Sequence, residues 1–394
     1  MSAIKKYFDK IRPNFEPEGK LHAFRSFFEG METFMLVPNA TSKSGVSVHD
    51  AIDSKRIMSF VVIALTPALL FGMWNVGHWH YIANNVEPTF WSSFFYGLAA
   101  VLPKIVVSYI VGLGIEFTVA QWKNEEIHEG FLVSGILIPM IVPINCPLWI
   151  IAVATAFAVI FAKEVFGGTG MNIFNVALVT RAFLFFSYPS TMSGDKVWVN
   201  QNYMDCITGV SGNVDAFSMA TPLGELAANT ADKPVAVTTD FIDTITGIMP
   251  GSIGETSVIA IALGACLLLV TGVASWKTML SVFVGGALMA FIFKDKVAEN
   301  FQWYEHLTVG GFCFGAVFMA TDPVTSARTE CGKWIYGFLI GVMAVIIRVL
   351  NPGYPEGMML AILLMNVFAP LIDYCVVQSN INKRAKRAIK AKED

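Results

Sequence analysis

Apolar stretches of about 20 residues alternate along the chain with short polar or Gly/Pro-rich punctuation, and a hydrocarbon core about 30 Å thick needs roughly that many residues per helix. Ten such stretches occur, near 57–76, 95–120, 130–145, 147–166, 172–188, 253–274, 276–294, 304–321, 332–350 and 356–378. They predict an all-α integral membrane protein with about ten transmembrane helices, the third and fifth of them short. Only one connection is long, 189–252, and it divides five stretches from five. An odd number per half forces opposite orientations if the halves are related, which is the inverted-repeat logic of many transporters. The chain is thus expected to comprise a leader (1–56), a first five-helix half (57–188), a long loop (189–252), a second five-helix half (253–378) and a basic tail (379–394).

Composition removes the soluble alternative. Charged residues make up 14% of the chain, with 31 Phe and 18 Met, and mean hydropathy is +0.58, more apolar surface than a water-facing shell could cover. A net charge of −3 excludes a globally basic nucleic-acid binder, and six cysteines without a CxxC pair give neither a zinc site nor an iron–sulfur ligand set. Residues 1–56 are polar and basic rather than signal-like, so the first span is expected to act as the insertion signal. Nine Lys and Arg precede position 57, six follow 378, and Lys123, Lys163, Lys277, Arg328 and Lys333 fall in loops on the same side; the opposite loops hold Lys196, Lys233, Lys294 and Lys296. Basic residues accumulate in the cytoplasm, so both termini are expected there and the 189–252 loop outside, with Lys383–Lys392 as a topology anchor.

Polar features inside such a chain are costly and mark where chemistry could sit. Gly167-Gly-Thr-Gly170 with Asn172 and Asn175 closes the first half, and Asn351-Pro-Gly-Tyr-Pro-Glu-Gly357 closes the second; both break helices where irregular backbone must be buried or line a site. Asn172 and Asn175 suit helix caps or the amide contacts of a neutral ligand. Glu116, Asp322 and Asp373 lie in or beside spans; Asp322, before Pro323, suits a cap on a chain break or an ion ligand, and Glu116 suits either a water-facing or an ion-binding role. Phe314 and Phe318 share a helical face, as packing partners or as a constriction. Gly112 and Gly114, flanking Leu113, suit close helix packing or the polar end of an apolar cleft. Arg181 and Arg348 lie within spans and need buried partners, and Lys163-Glu164 suits a local ion pair. Asp215-Ala-Phe-Ser218-Met-Ala-Thr221, taken by itself, is a polar turn in the long loop.

That last stretch resembles the Asp-x-x-Ser/Thr-Gly-Ala-Thr sequence at which flavin transferases attach FMN through a threonine hydroxyl, with Met219 in place of the usual Gly. Lys163-Glu-Val-Phe-Gly-Gly-Thr-Gly170, Arg181-Ala-Phe-Leu-Phe-Phe186, Ser193-Gly-Asp195, Pro250-Gly-Ser-Ile-Gly-Glu255, Phe318-Met-Ala-Thr-Asp-Pro323 and Tyr354-Pro-Glu-Gly-Met-Met-Leu-Ala361 are similar to the B-subunit family of sodium-translocating NADH:quinone reductases, over nearly the whole chain. The sister D-subunit family of Rnf ferredoxin:NAD reductases shares the flavin loop, whereas Phe15-Glu-Pro-Glu-Gly-Lys20 in the leader is typical of the quinone-reductase branch.

The resemblance implies an oxidoreductase component of a six-subunit complex in the bacterial inner membrane, with the A, C, D, E and F polypeptides of that complex as partners. It implies covalent FMN on Thr221, with Asp215 and Ser218 in its recognition sequence, and riboflavin near Asn172 and Asn175. Ubiquinone belongs at Gly112, Leu113 and Glu116, where Leu113 replaces a second glycine. A sodium path involves Glu116, Asp322, Asp373, Phe314 and Phe318. A flavin transferase is implied for maturation, while NADH oxidation and the iron–sulfur centres belong to the partners. Ten spans in five plus five also resemble urea-transporter architecture, so a cofactor-free channel is the alternative of a different class, and the Rnf-type protein the nearer one.

Overall fold

An apolar run in hydrocarbon must satisfy its backbone N–H and C=O groups internally, and a helix does so within one segment. In the computed structural model, residues 3–15, 54–123, 130–192, 220–228, 239–294, 301–351 and 356–393 are described, with a few isolated positions between them. The described residues hold helices and no strand. Those of eight residues or more are, in chain order, α1 (Ala3–Ile11), α2 (Ser54–Ala83), α3 (Phe90–Lys123), α4 (Phe131–Met140), α5 (Leu148–Ala158), α6 (Val176–Ser187), α7 (Val258–Val270), α8 (Trp276–Ile292), α9 (Glu330–Leu350) and α10 (Met358–Glu393). Five helical stretches, in α2, α3, α5 with its continuation to Phe166, α9 and α10, are long and apolar enough to cross a membrane; α4, α6, α7 and α8 are apolar but of 10–17 residues. Large apolar side chains stand on the outside, among them Trp91, Ile110, Leu263, Phe186 and Leu371. Such a surface fits lipid rather than water.

Helix starts follow cap chemistry. The side chains of Asn175, Ser257, Ser275 and Thr329 accept from the first free amides of α6, α7, α8 and α9, groups that would otherwise be orphaned in an apolar setting. These caps shorten two predicted spans: α6 begins after Asn175 rather than at 172, and α7 after Ser257 rather than at 253. Helix α10 continues without a break through the basic tail to Glu393.

The eighth stretch differs most from expectation. Its backbone divides at Gly310, whose φ of 68° favours glycine, into Glu305–Thr308 and Phe312–Phe314, the latter continued by a π-helical turn, Gly315–Met319. Hydropathy registers that these residues are apolar and is blind to the turn. A second π-helical turn, Val159–Lys163, extends α5. Two helix–break–helix units result. Residues 141–147 are non-helical between α4 and α5, and 320–329 are non-helical between the Phe312–Met319 segment and α9.

Helix α2 packs on α3 and α7, α3 on α4 and α5, α8 on α9, and α9 on α10. The α8–α9 pair approaches closely enough that a Cβ on Gly341 would lie 2.1 Å from the Val282 carbonyl oxygen, and one on Gly285 2.2 Å from that of Phe338. Small residues permit such backbone contact where lipid supplies no hydrophobic drive for association. The main core runs from Phe131 and Ile138 through Phe312 and Phe314 to Tyr336 and Ile362, across both sequence halves.

Candidate functional site

The two π-helical turns meet at a cleft. Lys163 ends one turn and Phe318 lies in the other, and both line a cavity of about 90 Å³ together with Asn172, Asn175, Thr321 and Asp322. Apolar residues from the start of α2, from α4 and from the end of α7 close its other walls. An apolar pocket with a few converging polar groups is the general form of a small-molecule site.

The loop carrying the two asparagines is shaped by Gly167 and Gly168, at φ of 112° and 90°, a region that side-chain-bearing residues rarely enter. Asn172 organises this loop: its Oδ1 accepts from the Gly170 amide at 3.3 Å and its Nδ2 donates to the Phe174 carbonyl at 3.0 Å. Asn175 joins the halves. Its Oδ1 accepts from Ala177 and Leu178 at 3.0 and 3.3 Å, capping α6, while its Nδ2 donates to Oδ2 of Asp322 at 3.4 Å. Asp322 also accepts from the Thr325 hydroxyl at 2.8 Å and the Val324 amide at 3.2 Å. Asn175 is therefore a helix cap, Asp322 accepts within the 320–329 break, and both line the cleft.

Glu116 is buried and pairs with the equally buried Lys163. This corrects the Lys163–Glu164 expectation: Glu164 lies 3.9 Å from Lys123 instead. Sequence adjacency suggested the local pair, but consecutive residues of a helical turn do not face each other. Removing one partner of a buried pair strands the other charge, at a cost of about 3–5 kcal/mol. Next along α3, the Cβ that Gly112 lacks would fall 1.9 Å from the Phe131 ring, so Gly112 serves close packing on α4. Leu113 packs against the main core, and at Gly114 no heavy atom of another element among the described residues lies within 4 Å of the corresponding point.

Phe314 and Phe318 are buried with ring centroids 5.0 Å apart, and Phe318 faces the cleft. Asp373 lies elsewhere, on α10, where its carboxylate accepts from the amides of Arg328 and Thr329 at 2.7 and 3.0 Å and from the Thr329 hydroxyl at 2.6 Å. It thus anchors the start of α9. Thr221 begins a helical turn, Pro222–Ala228, and its hydroxyl oxygen accepts from the Gly224 amide at 3.1 Å. Asp215, Ser218 and Met219 lie outside the described residues.

The two intramembrane arginines find partners that the sequence did not name. Arg181 on α6 pairs with Glu255, before α7, and with Glu356, before α10. Arg348 donates to the carbonyls of His306, Val309 and Glu356 at 2.6, 3.3 and 3.4 Å. Glu255 and Glu356 are the residues sequence reasoning missed; each sits in a Gly/Pro-rich segment before a span, the one available signal.

The NQR2, RnfD, RnfE family pattern matches residues 41–382. The chain is 42% identical to the B subunit of the Na(+)-translocating NADH-quinone reductase of Chromohalobacter salexigens, covering 98% of this chain and 96% of that one. Identity is 41% to the protein of the same name from Ectopseudomonas mendocina and 40% to that from Azotobacter vinelandii, in each case over 98% of this chain and all of the relative.

Proposed function

This chain belongs to the NQR2, RnfD, RnfE family, and from that premise we propose that it is the membrane subunit of a sodium-pumping NADH:quinone reductase. It carries FMN on Thr221 and riboflavin at the cleft, and passes electrons toward ubiquinone as sodium moves outward. Similarity over essentially the whole length of relatives bearing that name carries this reading. Ten spans in two inverted halves, with cytoplasmic termini in the bacterial inner membrane, form its frame, and the remaining subunits supply NADH oxidation.

The donor set of the cleft suits a flavin without a phosphate. Amide and hydroxyl groups of Asn172, Asn175 and Thr321 line it beside apolar side chains, and the lining lysine, Lys163, is already held by Glu116. A neutral isoalloxazine ring with a ribityl chain needs such groups rather than a free cation. When bound, flavins supply one-electron and two-electron transfer. The protein's part is to exclude water with the apolar walls, to hold Asn175 between α6 and Asp322, and to place Phe318 between the cleft and the core. At Thr221 the hydroxyl oxygen would hold FMN as a phosphoester, formed by displacing the donor's leaving group (AMP, where the transferase uses FAD) from phosphorus with loss of the hydroxyl proton, and that oxygen already accepts from the Gly224 amide. A flavin-induced shift of sodium access requires the two arrangements to differ in ion affinity, and Asp322 is positioned to provide that difference.

The test is in-gel ultraviolet fluorescence of the denatured chain after co-expression with a flavin transferase, with mass analysis of the Thr221 peptide. Fluorescence surviving denaturation, and an FMN-sized addition lost in Thr221→Val, is the expected result. No addition in the presence of an active transferase overturns the covalent-flavin assignment and moves a passive solute carrier to first place. Quinone reduction at full rate without sodium movement in liposomes refutes the coupling. Ferredoxin-dependent NAD reduction in place of quinone reduction indicates the Rnf branch.

A further inference from the structure

Thr221 is half-buried, and the residues that follow it, Pro222, Leu223 and Gly224, are buried. Leu223 packs with Phe301 and Val309 in a small apolar cluster apart from the main core, with Leu226 of the same turn against it. The space it occupies exists because residue 310 is glycine: a Cβ there would lie 2.4 Å from Cδ1 of Leu223. Gly310 is thus required twice, once for its φ of 68° and once for this notch. The notch belongs to the broken eighth stretch, whose other arm ends in the π-helical turn that carries Phe318 at the cleft. The Glu305–Thr308 arm is fixed independently, by Arg348 on the carbonyls of His306 and Val309 and by a 3.2 Å bond between the hydroxyls of Thr308 and Thr244. A side chain locked by packing close to an attachment point fixes where the attached group stands. We propose that Leu223 is the positioning residue for the Thr221 flavin, keying the flavin-bearing turn into the Gly310 notch so that one broken segment references that flavin to the cleft. This rests on the covalent FMN proposed above and names the residue that places it.

The experiment uses the full-length chain, co-expressed with a flavin transferase, extracted in mild detergent and freed of unbound flavin by gel filtration. Flavin fluorescence anisotropy is the readout, with the signal of Thr221→Val subtracted as the contribution of any non-covalent flavin. Leu223→Ala empties the notch, and the anisotropy of the covalent flavin falls by about a third or more, since a released turn moves on the nanosecond timescale. Leu223→Met refills the space and restores the wild-type value. Thr244→Val is the control: it loses the hydroxyl bond to Thr308 and loosens the same arm without touching the seat, so it melts earlier at unchanged anisotropy. Should Leu223→Ala not accumulate, Val309→Ala removes another member of the same cluster and is judged by the same criteria. Mass analysis of the Thr221 peptide separates the seat from the attachment. If wild type lacks the FMN-sized addition, the seat falls together with the reading it rests on. With the addition complete, the seat alone is overturned if Leu223→Ala keeps the wild-type anisotropy, or if Thr244→Val lowers it as far.

Discussion

The two helix breaks solve one electrostatic problem with opposite charges. After α4, residues 141–147 interrupt the backbone and the Lys104 ammonium reaches the Cys146 carbonyl. After the Phe312–Met319 segment, residues 320–329 interrupt it and the group at the break is the Asp322 carboxylate, held by Thr325, Val324 and Asn175. No lysine or arginine pairs with Asp322 among the described residues. Carbonyl ends already repel an anion, so a carboxylate there favours the arrival of a cation from outside. One break holds an ammonium; the other holds a carboxylate, to which the ion path proposed above would bring a mobile cation. The distinction lies in a single side chain at each break, not in the fold around it.

The sharpest way to erase this difference is to give the second break a cation of its own. Lys163 lines the same cleft as Asp322 but is bound to Glu116. Glu116→Gln strands that ammonium, and a loss of about 3–5 kcal/mol of stability is expected, seen as a lower heating midpoint. The freed charge competes with sodium, so the sodium concentration for half-maximal quinone reduction rises at least about tenfold, a difference of ~1.4 kcal/mol. Unaltered sodium dependence would place Lys163 outside the ion's field. Asp322→Asn addresses the second break directly, keeping size and one acceptor oxygen while removing the charge, the acceptor it loses being offset by the end of a buried carboxylate's desolvation cost. Half-saturation by sodium rises about tenfold (~1.4 kcal/mol) with little change in melting; a variant that melts early with normal sodium affinity would make Asp322 a cap alone.

Much of the scaffold was legible because it depends on composition and local chemistry. Apolar runs located the helices, and Asn175 stood out as a cap, whereas the caps at Ser257, Ser275 and Thr329 emerged only with the structure. The break at Gly310 was not legible, since hydropathy averages over a turn that one glycine makes possible. Residues of the cleft were singled out one by one, but nothing in the spacing of Asn175 and Asp322, 147 positions apart, announces their contact. Charge partners were least legible. Adjacency suggested Lys163 with Glu164, whereas helix geometry turned Lys163 toward Glu116, and Arg181 found Glu255 and Glu356 in loops that a span-by-span reading leaves blank.

Smaller effects separate cap from ion ligand. Asn175→Ala removes the acceptor for Ala177 and Leu178 and costs about 0.5–2 kcal/mol of stability, with a weaker rise in sodium half-saturation than Asp322→Asn, since its bond to the carboxylate is long at 3.4 Å. Asp373 gives the smallest effect and the cleanest discrimination. Its carboxylate spends its bonds on the start of α9, at Arg328 and Thr329, and it is not among the residues lining the cleft. Asp373→Asn keeps one acceptor oxygen for those amides, so a loss near ~0.5 kcal/mol in heating experiments is expected, with sodium half-saturation where wild type has it. If it instead shifts sodium dependence as far as Asp322→Asn does, the ion's route extends from the second break along α10 to Asp373, and the carboxylate that anchors α9 is also a station on that route.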